Sequence, residues 1–374
     1  MIGQLMKGRL TILLFGLMQI TLWCASVTHG ADSKGFEKWL EDFRNQAVRQ
    51  GISKATIETT LSKTKYLPEV MERYRNQPEF KLSLDEYLSR VVPERRVQLG
   101  RKKLAMHRTI LDEVYKRIPV EPQFIVALWG IESDFGQIAG TFPVIDALAT
   151  LAYASSRVEF YQKELFHALR ILDKGHVPAD RMKGSWAGAM GQVQFMPSSF
   201  QALAADYDGD GKVDIWDNLG DALFSAANYL SRSGWNTGQG WGVEVKVPKE
   251  FNPPLIGSKK PMTEWKAAGL REAGGSELPE TPDLTASLIE PDRKSHRTFL
   301  VYPNYHVILK WNRSDFFALA VGTLADQINM DQGSRNQNRT EYRSQESGDG
   351  KQATEHTRQN TEVGSQEPGN SNNQ

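Results

Sequence analysis

The chain has 374 residues, with 45 basic and 45 acidic side chains, 40% hydrophobic content and 10% aromatic content. That is long enough to bury a sizeable core and too apolar for a disordered protein, and the balanced charge lacks the basic surplus of a nucleic-acid binder. A single cysteine, Cys24, excludes a disulfide-stapled scaffold.

Lys7 and Arg9 precede an apolar stretch from Leu10 to Ala25, broken by Gln19 and Thr21 and followed by small residues. This pattern predicts a cleaved export signal over residues 1–30, since the stretch is short for a membrane-spanning helix. Cleavage falls after Ser26 or after Gly30. Trp23 is too bulky for the small-residue position before a lipid-modified cysteine, so a lipid anchor is not expected. Removal of the leader leaves 43 basic against 45 acidic residues and no thiol, so stability must come from packing and bound metal.

Phe36, Trp39, Leu40, Phe43, Ala47 and Val48 recur at helical spacing, and comparable amphipathic patterns cover Leu82 to Val92 and Leu104 to Ile118. Pro119 and Pro122 bracket the start of the next helix, Pro122 suiting its first turn. Further helices are predicted over 147–154, 160–172 and 221–231, the last opened by Asp221 and closed by Gly234. From Trp241 to Lys310 the period changes to two. Val243, Val245 and Val247 alternate with polar residues, as do Phe299, Val301, Tyr305, Val307 and Leu309 around Pro303-Asn304, which predicts a small antiparallel sheet over about 241–310. A helix over 315–328 follows. Residues 331–374 are nearly all Gln, Asn, Ser, Gly, Arg, Glu and Thr, the composition of a disordered tail.

Within Phe124-Ile-Val-Ala-Leu-Trp-Gly-Ile-Glu-Ser-Asp-Phe-Gly136, Glu132 stands in helical register with Phe124 and Leu128. Burial and the negative end of the helix dipole both disfavour its ionised form, so its pKa should rise. A carboxylic acid still protonated near neutral pH can give a proton to a leaving group, as the acid of a glycoside-cleaving enzyme does. The bland alternative is a glutamate snorkelling from a frayed helix end.

Asp206-Tyr-Asp208-Gly-Asp210-Gly-Lys212-Val-Asp214-Ile-Trp-Asp217 carries side-chain oxygens at positions one, three, five, nine and twelve. Glycine stands at six, and the Lys212 carbonyl is available at seven. This is the pattern of an EF-hand Ca2+ loop, with Asp206, Asp208, Asp210, Lys212 and Asp217 as candidate ligands. Aspartate replaces the usual glutamate at position twelve, and a single loop favours a stabilising role over sensing. No cofactor is expected for catalysis.

Gly184-Ser-Trp-Ala-Gly-Ala-Met-Gly-Gln-Val-Gln-Phe-Met-Pro-Ser-Ser-Phe200 mixes small residues with polar and aromatic groups. It suits the wall of a sugar cleft or a tight helix-packing seam. It carries neither a phosphate-loop lysine nor a Gly-x-Ser-x-Gly elbow.

The Glu132 run, the Gly184–Phe200 run, the metal loop and Trp311-Asn-Arg-Ser-Asp-Phe-Phe317 occur in the order seen in the membrane-bound lytic murein transglycosylase B family, which the chain resembles over about residues 36–330. The resemblance implies a mainly α fold: a lysozyme-like α core with a single EF-hand calcium loop, an N-terminal helical part and a small antiparallel β part. It implies an exported, periplasmic lytic murein transglycosylase that cuts the β-1,4 bond between N-acetylmuramic acid and N-acetylglucosamine, with Glu132 as sole acid and base. Ser185, Gln194, Tyr229 and Asn312 look like saccharide contacts. Trp311 and Phe317 stand where tyrosines are common in the family, so stacking survives there without a hydroxyl. The expected partner is the peptidoglycan glycan strand, with cell-wall synthesis or remodelling proteins as further partners of a monomer.

Three competing readings stay open. A lysozyme-like muramidase would add water where ring closure adds none. A non-catalytic wall-binding protein would leave glycan intact, and a calcium sensor would expose apolar surface on binding metal.

Overall fold

The structure, a computed structural model, describes residues 33–76, 82–248, 255–281 and 283–330; the expected export signal and polar tail lie outside the described residues. The N-terminal helical part comprises α1 (Ser33–Arg49), α2 (Lys54–Thr59), α3 (Pro68–Arg75), α4 (Leu84–Val91), α5 (Glu94–Met106) and α6 (Arg108–Arg117). Then come α7 (Pro122–Ser133), β1 (Phe142–Pro143), α8 (Val144–Ala154), α9 (Val158–Asp173), β2 (Lys183–Gly184), α10 (Pro197–Leu203) and α11 (Leu219–Arg232). A β part follows: β3 (Gly242–Lys246), β4 (Lys259–Pro261), α12 (Met262–Ala267), β5 (Arg271–Glu272), β6 (Thr285–Ile289) and β7 (Thr298–Val301). The chain returns to the helical core through α13 (Pro303–Trp311) and α14 (315–330).

Helix α7 runs through the middle of the main core. Every residue from Phe124 to Gly130 is buried, as an all-round apolar helix requires. It packs against α5, α6 and α11, while α8, α9 and α10 form the neighbouring layer. The expected register holds: Phe124 and Leu128 are 3% and 0% exposed. Glu132, one turn further, stays partly accessible.

The five strands pair antiparallel in the order β4-β6-β7-β3-β5 around their own small core of Val245, Met262, Trp265, Leu270, Leu278, Leu288 and Leu300. The β part is tied to the helical core through Trp241, whose ring lies against Gly322 and whose Nε1–H donates to Asp326 Oδ2 at 2.8 Å.

The amphipathic stretch from Leu104 to Ile118 is divided at His107 between α5 and α6, and Tyr305, Val307 and Leu309, expected in a strand, lie in α13. Pro303 occupies the first turn, where its fixed φ starts a helix and its missing N–H costs nothing. The buried set Asn304, Tyr305, Val307 and Ile308 follows helical spacing, so the alternation of apolar residues there is incidental.

Candidate active site

Glu132 is the penultimate residue of α7, which Asp134 ends in the left-handed conformation (φ 49) with its N–H on Gly130 O. The carboxyl of Glu132 accepts one hydrogen bond, from Trp311 Nε1 to Oε1 at 2.7 Å. Burial pushes its pKa up to about 7, and the Trp311 bond only partly opposes this. Tyr87 of α4 lies close enough to the same carboxyl to feel its charge. Burial raises the tyrosine pKa, the charge of Glu132 raises it further and Arg96 opposes. The Tyr87 ring also meets Phe316 at 5.5 Å.

Asp134, only two residues on, has the opposite environment. Its burial would raise the pKa, but Arg95 at 2.7 Å and Arg96 at 3.3 Å outweigh this and hold the carboxyl below the usual range. A carboxylate gripped by two guanidiniums is a fixed structural anion that caps α7, leaving Glu132 as the protonated acid at this end of the helix.

The glycine-rich run forms a compact knot of bridges, Gly184 to Met190 and Met190 to Phe195, and not a helix-packing seam. Glycine is required where backbones nearly touch. A Cβ on Gly184 would sit 2.1 Å from Ala189 O, and one on Gly140 2.1 Å from the Gly184 carbonyl. The knot carries Phe195 to the Trp311 ring (5.2 Å), and Tyr229 meets Trp311 at 4.6 Å with the rings tilted by 54°. The indole that binds Glu132 is therefore wedged between two aromatic neighbours.

The other expected contacts group around this wedge. Ser185 Oγ accepts from Ala189 N (3.1 Å) and holds a turn of the knot. Gln194, at φ 50, donates its amide to Ala139 O (2.9 Å) and Gly191 O (2.8 Å), so its side-chain carbonyl is the group offered to a ligand. Tyr229 donates its hydroxyl to Lys310 O at 2.6 Å, which leaves its oxygen as an acceptor. Asn312 is exposed just beyond Trp311. Phe317 is buried in the main core, 5% exposed, and its neighbour Phe316 turns toward Tyr87.

Two residues escaped the sequence reading. Tyr87 is one; Gln192 is the other. Its Oε1 accepts from Trp129 Nε1 (3.0 Å), its backbone oxygen accepts from Ser133 Oγ (2.5 Å) and its amide donates to Trp216 O (3.0 Å). Gln192 thus joins the turn of α7 that carries Glu132 to the end of the metal loop. Neither residue has a local sequence signal, because both contacts arise from elements far apart in the chain.

In that loop Asp206, Asp208 and Asp210 bring ligand oxygens within 4.8 Å of one another. Asp206 accepts from the amides of Gly209 (2.7 Å) and Gly211 (2.9 Å), so the loop is already wrapped around the cluster. The buried Asp221 pins the loop from below, accepting from Tyr207 N (2.8 Å) and Asp214 N (2.7 Å). Lys212 stands next along the loop, where its backbone carbonyl is the group for a cation. Asp217 lies outside the three-aspartate group and pairs with Arg181. The convergence of three carboxylates, half-buried Asp206 with exposed Asp208 and Asp210, fits a hard cation.

A helical core with a sheltered carboxyl bound to an indole among aromatic rings belongs to a lysozyme-like, glycan-cleaving class of protein. The chain belongs to the Transglycosylase SLT domain family, whose sequence model matches residues 35–326. SltB3 from Pseudomonas aeruginosa, in a crystal structure with NAG-NAM-pentapeptide, is 45% identical with a TM-score of 0.76, covering 79% of this chain and 80% of that one. Slt35 of Escherichia coli in complex with calcium is 28% identical with a TM-score of 0.67, covering 80% and 94%. Membrane-bound lytic murein transglycosylase B of Escherichia coli (strain K12) is 29% identical over 294 residues, 75% of this chain and 79% of the relative.

Proposed function

We infer that this chain is a peptidoglycan lytic transglycosylase that cleaves the β-1,4 bond between N-acetylmuramic acid and N-acetylglucosamine. The observation that carries this reading is the carboxyl of Glu132, held up to about 7 by burial while its neighbour Asp134 is locked to Arg95 and Arg96. One acid poised near neutrality and, among the described residues, no free second carboxylate shown beside it suit a reaction in which the substrate supplies its own nucleophile.

Glu132 first gives its proton to the glycosidic oxygen as that bond breaks, while the N-acetyl oxygen of the muramic acid steadies the cationic sugar. As a carboxylate, now favoured by the Trp311 N–H, it takes the proton of the 6-hydroxyl. That oxygen closes a 1,6-anhydro ring on the anomeric carbon, and Glu132 is restored to its acid form without water being consumed. Ser185, the Gln194 carbonyl, Tyr229 and Asn312 orient the saccharide, and the Trp311 and Tyr229 rings offer faces to it. Calcium held by Asp206, Asp208, Asp210 and the Lys212 carbonyl, with Asp217 joining on release from Arg181, would brace the loop that Gln192 ties to α7.

Residues 31–330 form the catalytic unit of an exported, periplasmic enzyme, with 1–30 as leader and 331–374 as tail. Mass analysis of muropeptides released from isolated sacculi tests the reaction. Products lighter by one water than hydrolytic fragments support ring closure, hydrolytic masses make the protein a muramidase, and intact glycan makes it a binder.

A further inference from the structure

Helix α4 stands beside the catalytic carboxyl and is strapped there at both ends. At its start, beyond its own Ser83–Glu86 capping box, the Leu84 amide donates to Asp292 Oδ2 at 2.8 Å. Asp292 is itself fixed by Ser295 Oγ (2.9 Å) and by the amides of Lys294 (2.5 Å) and Ser295 (2.9 Å). The next residue, Asp85, receives Arg297 Nη1 at 2.9 Å, while the Nε and Nη2 of Arg297 fork onto Glu244 of β3 at 2.9 and 2.6 Å. At the other end, Arg96 Nη1 donates to Val91 O and its Nε reaches Asp134 at the end of α7. Leu84 is fully buried in the main core and Leu88 and Val92 pack against it, so apolar contacts hold α4 to the core while the polar straps fix its two ends. Its middle carries Tyr87, whose ring lies 5.5 Å from Phe316 and which is close enough to Glu132 to feel its charge.

We propose that Asp292 and Arg297, in the β part, are positioning residues for glycan cleavage: through the first turn of α4 they hold Tyr87 over Glu132 and keep that carboxyl sheltered. This gives the β part a role in the chemistry although, among the described residues, none of its groups is seen to touch Glu132. The strap persists through the working pH range. Although burial opposes ionisation of Asp292, the donors around it hold its pKa at about 2, so it remains an anion wherever Glu132 titrates. Misplacing a group beside a reacting centre by an ångström costs large factors in rate even when binding is intact.

The inference rests on Glu132 as the acid, and the test separates the two ideas. Initial rates of anhydro-product release from soluble uncrosslinked glycan strands are measured for the full chain and its variants. Asp292→Ala should lower kcat between about tenfold and a hundredfold with KM changed by less than about twofold. Asp292→Asn, which keeps an oxygen for the Leu84 amide, should recover most of that loss. In a Tyr87→Ala background, Asp292→Ala should add less than about a further twofold, because the strap acts through Tyr87. Arg297→Gln loosens the same turn from the second anchor and carries the test if Asp292→Ala does not accumulate. A folded Asp292→Ala or Arg297→Gln protein with the kcat of the parent overturns the proposal. So does an equal loss in both Tyr87 backgrounds. Glu132→Gln runs alongside: activity in that variant overturns the acid assignment, whereas an inactive Glu132→Gln with an additive Asp292→Ala loss overturns only the strap.

Discussion

The turn of α7 that carries Glu132 and the loop 206–217 both present carboxyl groups, in opposite surroundings. At Glu132 a single carboxyl is desolvated with one N–H donor from Trp311, so its pKa is raised to about 7. In the loop, Asp206, Asp208 and Asp210 crowd together in the open, with backbone amides pointed at them. The first environment withholds charge and makes an acid. The second concentrates charge and offers its oxygens to a cation. Residue type alone decides neither role; desolvation and donor count do.

Four changes should break or sharpen this contrast. Glu132→Gln keeps the size of the side chain and removes the acid, so turnover should fall by about 10²- to 10⁴-fold in a muropeptide-release assay, with glycan binding retained. The same variant should be more stable than its parent in alkaline solution. Because the folded pKa of Glu132 lies above its unfolded value, the folded state binds more protons between the two, and stability declines as pH rises from about 4.5 through about 7. Glutamine escapes this, so chemical denaturation at pH 8 should show a gain of up to about 3 kcal/mol that vanishes near pH 4. A parent that is equally stable at both pH values relative to the variant would place Glu132 in water.

Removing calcium should act at the other site. Adding the ion at a hundred times its dissociation constant should stabilise by about 2.7 kcal/mol, read as a rise in Tm that a chelator reverses, while turnover at low temperature changes little. Asp210→Ala should abolish the calcium response. The smallest effect is expected for Trp311→Phe, which keeps a ring between Phe195 and Tyr229 but deletes the N–H on Glu132. Losing a donor that favours the carboxylate should move the alkaline limb of the rate profile upward by about one pH unit.

Much of this was legible from local pattern. The helix around Glu132 declares itself because the apolar run from Phe124 to Ser133 admits one acid, and the loop 206–217 does so because its acidic residues are closely and regularly spaced. The alternation from Tyr305 to Leu309 is deceptive because Pro303, which suits a hairpin turn as well as a first helical turn, opens α13 through its fixed φ. The ribbon of β1 and β2, only two residues on each side, has no period to detect. Tyr87, Gln192 and Asp292 were invisible for a different reason. Asp292 meets Leu84 across 208 residues of chain and Gln192 meets Trp129 across 63, and such contacts exist only once the elements have docked. The aromatic departures at Trp311 and Phe317 resolve unequally: Trp311 brings a new donor to Glu132, whereas Phe317 belongs to the core.

Direct titration of the Glu132 carboxyl decides the matter most cleanly. Carbon-detected NMR of protein labelled at the glutamate side-chain carboxyl, with the resonance assigned by its disappearance in Glu132→Gln, should give a midpoint near 7. A midpoint at the ordinary glutamate value of about 4.5 would mean that the group is an exposed carboxylate at neutral pH and has no proton to give.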